Sequence, residues 1–77
     1  MTPLPRVSGR GCVSTLGKAG FAVVRQESSH IIVRRTSPFA QVVVPDHREL
    51  DRGTLRAIIR DAGLTVEAFV RLLRDGE

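Results

Sequence analysis

Three short runs rich in Val, Ile and Phe, at residues 21–26, 30–35 and 41–44, follow one another with only three and then five residues between them. Strands joined this tightly cannot be parallel neighbours, because a parallel crossover needs about a dozen residues or more. They must pair as an antiparallel meander. Glu27-Ser28-Ser29 forms the first connection and Thr36-Ser37-Pro38-Phe39 the second, while Pro45, which has no N–H to donate, closes the third run. In the first run strict alternation sends Phe21 and Val23 to one face and Ala22 and Val24 to the other.

A three-stranded meander needs cover on at least one face, and the flanking sequence supplies it as helices. The two prolines among the first five residues predict a loose, extended lead-in over residues 1–6, after which Ser8 is placed to cap a helix. Cys12, Val13 and Leu16 give that helix an apolar stripe; Gly9, Gly11 and Gly17 each weaken it by about 1 kcal/mol relative to alanine. Gly20 is the natural stop, and Lys18 falls in the last turn, where a cation suits the helix dipole. Beyond the meander, Asp51 can cap a second helix with Leu50 and Leu55 as a hydrophobic staple, a stripe of Leu55, Ile58, Ile59 and Ala62, and Gly63 as its end. Thr65 repeats the device, with Leu64 and Phe69 as the staple and Val66, Phe69, Val70 and Leu73 as the stripe. The order is helix, three strands, helix, helix. It predicts an α+β, two-layer sandwich with helices on one face of the sheet and the other face free for a ligand.

Seventy-seven residues make one domain, 1–77, at a size where a single core barely suffices and a partner often supplies the remaining stability. With no Trp, no Tyr and three Phe, that core must be aliphatic. The net charge is +4 and the pI near 11.0. Residues 1–48 hold seven Lys/Arg against two Asp/Glu, a net of +5, and residues 49–77 hold five against six, a net of −1. A basic front part suits a polyanion, nucleic acid above all, with a balanced helical tail behind it. Cys12 is the only cysteine; it lies on the apolar side of the first helix and reads as a small buried hydrophobe, not a nucleophile, in a reducing cytoplasm. No apolar stretch approaches the roughly 20 residues of a membrane span, and no signal-peptide block is expected from Met1-Thr2-Pro3-Leu4-Pro5-Arg6.

His30 carries the chemistry if any residue does. It opens the second strand-like run with Arg25, Arg34 and Arg35 close in sequence, and an imidazole amid fixed positive charge is a candidate acid/base group aimed at a polyanion. The bland alternative is a surface or cap histidine. For His47, which follows Pro45-Asp46, the alternatives are a secondary acid and a residue that organises the turn into Asp51. Arg25, Arg34 and Arg35 are equally consistent with phosphate contacts and with a charged strand edge that discourages aggregation. Walker A and GxGxxG loops are absent, as is paired His/Cys spacing for zinc, and Asp46 and His47 adjoin one another so as to point apart. RNA cleavage needs neither metal nor cofactor, since the adjacent 2′-hydroxyl is the nucleophile once a base takes its proton and cations stabilise the phosphorane.

The residues also carry a resemblance. Gly20-Phe21 to Arg25-Gln26, Ser29-His30, Val42-Val43-Val44-Pro45 with His47 two residues on, and Gly53-Thr54-Leu55-Arg56 running to Ala62-Gly63 resemble, in order and spacing over residues 7–74, the HicA family of HicA/HicB toxin-antitoxin systems. The resemblance implies a fold like the double-stranded-RNA-binding domain, and a cytoplasmic mRNA endoribonuclease whose HicB-like antitoxin partner binds and silences it in an oligomeric complex. It implies that His30 is the catalytic histidine of a Ser-Ser-His-like loop; beside it, Lys18, Arg25, Ser29, Arg34, Arg35 and Arg48 are the candidate contacts to mRNA. Where many members have glycine this chain has Ser28, which is expected to deny that position the freedom of positive φ. Two other readings stand beside it: a non-catalytic RNA-binding module of the double-stranded-RNA-binding type, and a small adaptor whose basic face meets an acidic protein.

Overall fold

The computed structural model describes residues 2–75. Its elements are α1 (Gly9–Gly17), β1 (Ala22–Glu27), β2 (His30–Thr36), β3 (Phe39–Pro45), α2 (Arg52–Asp61) and α3 (Val66–Arg74). The α+β order anticipated from the sequence is therefore the order found, and it is consistent with a double-stranded-RNA-binding-like arrangement.

Local chemistry sets the helix limits. Ser8, Asp51 and Thr65 each turn a side-chain oxygen back onto a free N–H of the first turn, those of Gly11, Thr54 and Ala68, at 2.9, 2.7 and 3.0 Å. Gly20 and Gly63 adopt φ of +96° and +77°. Behind each, the next amide reaches back five residues, from Phe21 to the Leu16 carbonyl and from Leu64 to that of Ile59, the Schellman closure for which glycine is suited. α1 itself ends at Gly17, so Lys18 caps the helix instead of lying in its last turn.

The three strands form one antiparallel sheet in the order β1-β2-β3. The ladders run further than sequence suggested, because two-residue turns replace the longer loops. Glu27 pairs with His30 across Ser28-Ser29, and Thr36 pairs with Phe39 across Ser37-Pro38. Glu27 and Phe39 are thus strand residues, and Phe21 precedes β1.

Ile31 and Val33 of β2 and Val42 and Val44 of β3 join Cys12, Leu16, Phe21, Leu55, Ile58, Ile59 and Phe69 in one apolar cluster, so all three helices cover the same face. Leu4 also packs on this cluster, which ties down a lead-in expected to be loose. Cys12 is fully buried, as anticipated, and desolvation pushes its thiol pKa up to about 12.

Candidate functional site

β2 lies in the middle of the sheet, and its alternate residues divide the candidates between two faces. Ile31, Val33 and Arg35 point to the helices; His30, Ile32 and Arg34 point to the open side. The register then fixes what surrounds His30. Glu27 and Pro45 flank it in the first row, Arg25 and Val43 flank Ile32 in the next, and Ala22 and Gln41 flank Arg34 in the third. All but the buried Ile32 and the half-buried Arg34 and Pro45 are exposed.

Arg25 reaches this face through an irregularity. Val23 pairs with Val33 but Arg25 pairs with Ile32, so the register slips by one residue at Val24. Unbroken alternation would have put Arg25 beside Val23 on the helix side. A β-bulge adds one residue to one strand and re-aims everything after it; here it turns Arg25 toward the His30 side. There its Nε donates to Glu27 Oε2 at 2.6 Å. Glu27 thereby sits directly across the ladder from His30 with its charge compensated, a carboxylate and an imidazole at a separation typical of cross-strand pairs, about 5 Å between Cβ atoms. Sequence reasoning missed Glu27 because it assigned the residue to the loop.

The tip of the β1–β2 hairpin is held from below. Asp46 N–H donates to the Ser29 carbonyl at 2.6 Å, and the Asp46 carboxylate accepts from Gln26 Nε2 at 3.3 Å and from Arg10 at 3.1 Å. α1 approaches this corner closely: Gly9 N–H donates to the His47 carbonyl at 2.9 Å, and a Cβ on Gly9 would lie 1.9 Å from the Pro45 carbonyl oxygen. The glycine that lowers helix propensity is what lets the helix start there. Ser28 takes φ of +56°, so the loop adopts the left-handed turn despite its serine, contrary to the expected loss of that conformation, and carries the strain of a β-carbon in that region.

Asp46, His47 and Arg48 line a shallow pocket together with Ser8 and Arg10 at the start of α1. Arg10 was not singled out from sequence, and nothing local could have marked it, since its position depends on how α1 meets the end of β3. His47 lies near Asp51, whose carboxyl is held below the ordinary aspartate range first by the Thr54 N–H and then by the Thr54 hydroxyl, with a smaller contribution from His47.

The structure therefore brings His30, Ser29, Arg25 and Arg34 to one face and hairpin tip, with His47 and Arg48 beside it. Two anticipated contacts lie elsewhere. Arg35 points to the helix side, where its guanidinium donates to the Pro38 and Ala62 carbonyls at 2.9 and 3.3 Å and stacks 4.7 Å from the Phe21 ring centroid. Lys18 is at the opposite end of α1, its Nζ donating to the Leu72 carbonyl at 2.8 Å. Among the described residues no three His, Cys, Asp or Glu side chains are grouped as metal ligands, and no helix is long and apolar enough to cross a membrane.

No curated protein matches the chain. A family model does: the one described as the HicA toxin of bacterial toxin-antitoxin systems matches residues 9–64, which span α1 through the end of α2 and include the hairpin tip and open face just described.

Proposed function

We propose that this chain, which belongs to the HicA toxin family of bacterial toxin-antitoxin systems, is a metal-independent endoribonuclease that cuts mRNA and so halts translation and growth. The observation that carries the reading is the position of His30. It is an exposed imidazole at the rim of an open sheet face, beside a tip pinned by Asp46 and with no helix above it.

RNA lying on this face presents a 2′-hydroxyl and its adjoining phosphate to His30. As the O2′–P bond forms and the P–O5′ bond breaks, one proton leaves O2′ and one is delivered to O5′, giving a 2′,3′-cyclic phosphate and a free 5′-hydroxyl. His30 is the group that transfers a proton at this centre, and Glu27, its partner across the ladder, serves as the second. The guanidinium of Arg34 offers charge to the phosphates on the face, and Arg48 offers it to the strand as it leaves over the tip. His47, near Asp51, acts in this scheme as a contact residue; Arg35 and Lys18 are structural. A HicB-like antitoxin silences the toxin by covering the same face in a complex within the cytoplasm.

The test is a cell-free translation reaction containing either the wild-type chain or His30→Ala, with mRNA length and protein output followed in the presence of a chelator. Cleavage by the wild type alone, reduced about 10²–10⁴-fold by the substitution, is expected. Intact mRNA with both folded proteins would remove the nuclease and leave an RNA-binding module.

A further inference from the structure

Phe39 is 68% exposed, the most exposed large apolar side chain among the described residues. It pairs with Thr36, two rows beyond Ile32 and one beyond Arg34, and by strand parity it projects from the same face as His30. The other two phenylalanines, Phe21 and Phe69, are in the core. A lone exposed ring is ordinary on a protein surface; what distinguishes Phe39 is that it shares the open face with exposed Val43 and stands at the far end of that face from the imidazole.

The rows between the ring and the imidazole say what the face can hold. Six steps along β2 take His30 to the Thr36–Phe39 row, a span of about 20 Å at ~3.3 Å per residue. Two-thirds of the way along stands Arg34, whose Nε is fixed by the Gln41 side chain at 2.8 Å. The outer nitrogens of that guanidinium remain to meet an anion. Arg25 and Glu27 neutralise one another, so Arg34 sets the charge of the track. A chain that is anionic at regular intervals and carries flat unpaired rings matches this order of acid/base group, cation and exposed aromatic. A base locked in a duplex could not stack on the ring.

We infer that Phe39 is a stacking platform for an unpaired base of single-stranded RNA whose backbone crosses Arg34 on its way from His30. The inference rests on the nuclease reading and adds to it a binding subsite and a polarity. The track extends from the cut in one direction only, and its length accommodates about four nucleotides, the small end of the range for single-strand platforms.

The experiment has two arms. Binding is measured with His30→Ala as the non-cutting parent and a single-stranded RNA of about 12 nucleotides, within the usual platform range. Phe39→Ala added to it is expected to weaken binding about 5- to 100-fold, the loss typical of one stacked base, while Phe39→Trp retains affinity. Because the chain has no tryptophan of its own, the Phe39→Trp protein also reports directly: its fluorescence should be quenched by the single strand and not by a duplex of the same sequence. In the second arm, cleavage by otherwise wild-type Phe39→Ala is compared on RNAs extended on one or the other side of the cut. Only one side should show the loss. Unchanged binding, no quenching and symmetric cleavage by Phe39→Ala, with wild-type cleavage intact, would overturn the platform, give Phe39 to a protein surface and leave the nuclease standing. Neither binding nor cleavage by the wild type would remove both.

Discussion

Arg34 and Arg35 are neighbours in the chain, and they belong to different parts of the molecule. Arg34 lies on the open face with His30, one nitrogen fixed by Gln41; Arg35 lies on the covered face, bound to the Pro38 and Ala62 carbonyls and stacked on Phe21. The same side chain is thus offered to solvent on one side of β2 and used as an internal tie on the other. The two faces of the sheet divide in the same way: Ile31, Val33, Val42 and Val44 hold the fold, while His30, Arg25, Arg34 and Phe39 are held by it. A basic residue near a histidine in sequence says nothing about which group it joins until its parity is known.

The division can be broken hardest at the close approach beneath the site. Gly9→Ala puts a methyl into the Pro45 carbonyl and is expected to cost about 1–3 kcal/mol in urea unfolding. Because the strain falls on the strand end opposite His30, cleavage per folded molecule should drop as well. Val33→Ala, on the covered face, should cost about 2 kcal/mol, from two lost methylene equivalents and a residual cavity, and leave cleavage by the folded fraction unchanged. An equal loss of both would mean the faces are not independent.

The arginine pair sharpens the contrast. Arg35→Ala is expected to lower stability by about 1 kcal/mol, through the charged hydrogen bonds and the ring contact discounted for partial exposure, with RNA affinity unchanged. Arg34→Ala should do the reverse, shifting unfolding by less than about 0.5 kcal/mol and reducing the salt dependence of RNA binding by about one phosphate contact. Salt titrations of binding and denaturant melts on the two variants decide it.

Smaller effects lie at the turns. Ser28→Gly relieves a β-carbon at φ of +56° and should raise stability by about 0.5–1 kcal/mol. Asp51 caps α2 by accepting from the Thr54 N–H and hydroxyl, so its folded carboxyl titrates below its unfolded value. The capping stability is therefore present above about pH 4 and is lost as the pH falls through the folded pKa. Comparing wild type with Asp51→Asn across that range by thermal melts should show the difference between them shrinking toward acid; a difference independent of pH would exclude the carboxylate as its source.

Much of this was legible in the chain. Ser8, Asp51 and Thr65 as caps, Gly20 and Gly63 as stops, and the antiparallel meander all follow from chemistry confined to a few consecutive residues or from connections too short to allow anything else. The opposite facing of Arg34 and Arg35 was also legible, since adjacent strand residues point apart, but proximity in sequence suggested a cluster instead. His30 could be named because it opens a strand with Arg25, Arg34 and Arg35 close in sequence.

The sequence by itself determined which segments are helix or strand, which residues cap the helices, and which histidine stands at a hairpin tip, because capping, turn chemistry and hydrophobic period are local interactions. Only the tertiary structure decided that Arg25 joins His30, that Glu27 faces it, that Gly9 is a contact and not a cost, that Arg10 reaches Asp46, and that Phe39 is left exposed on the open face. Each of these depends on one residue of register or on the meeting of segments far apart in the chain. A single-residue slip at Val24 reverses every face that follows it in β1, and no local preference of the residues around it is large enough to announce that slip in advance.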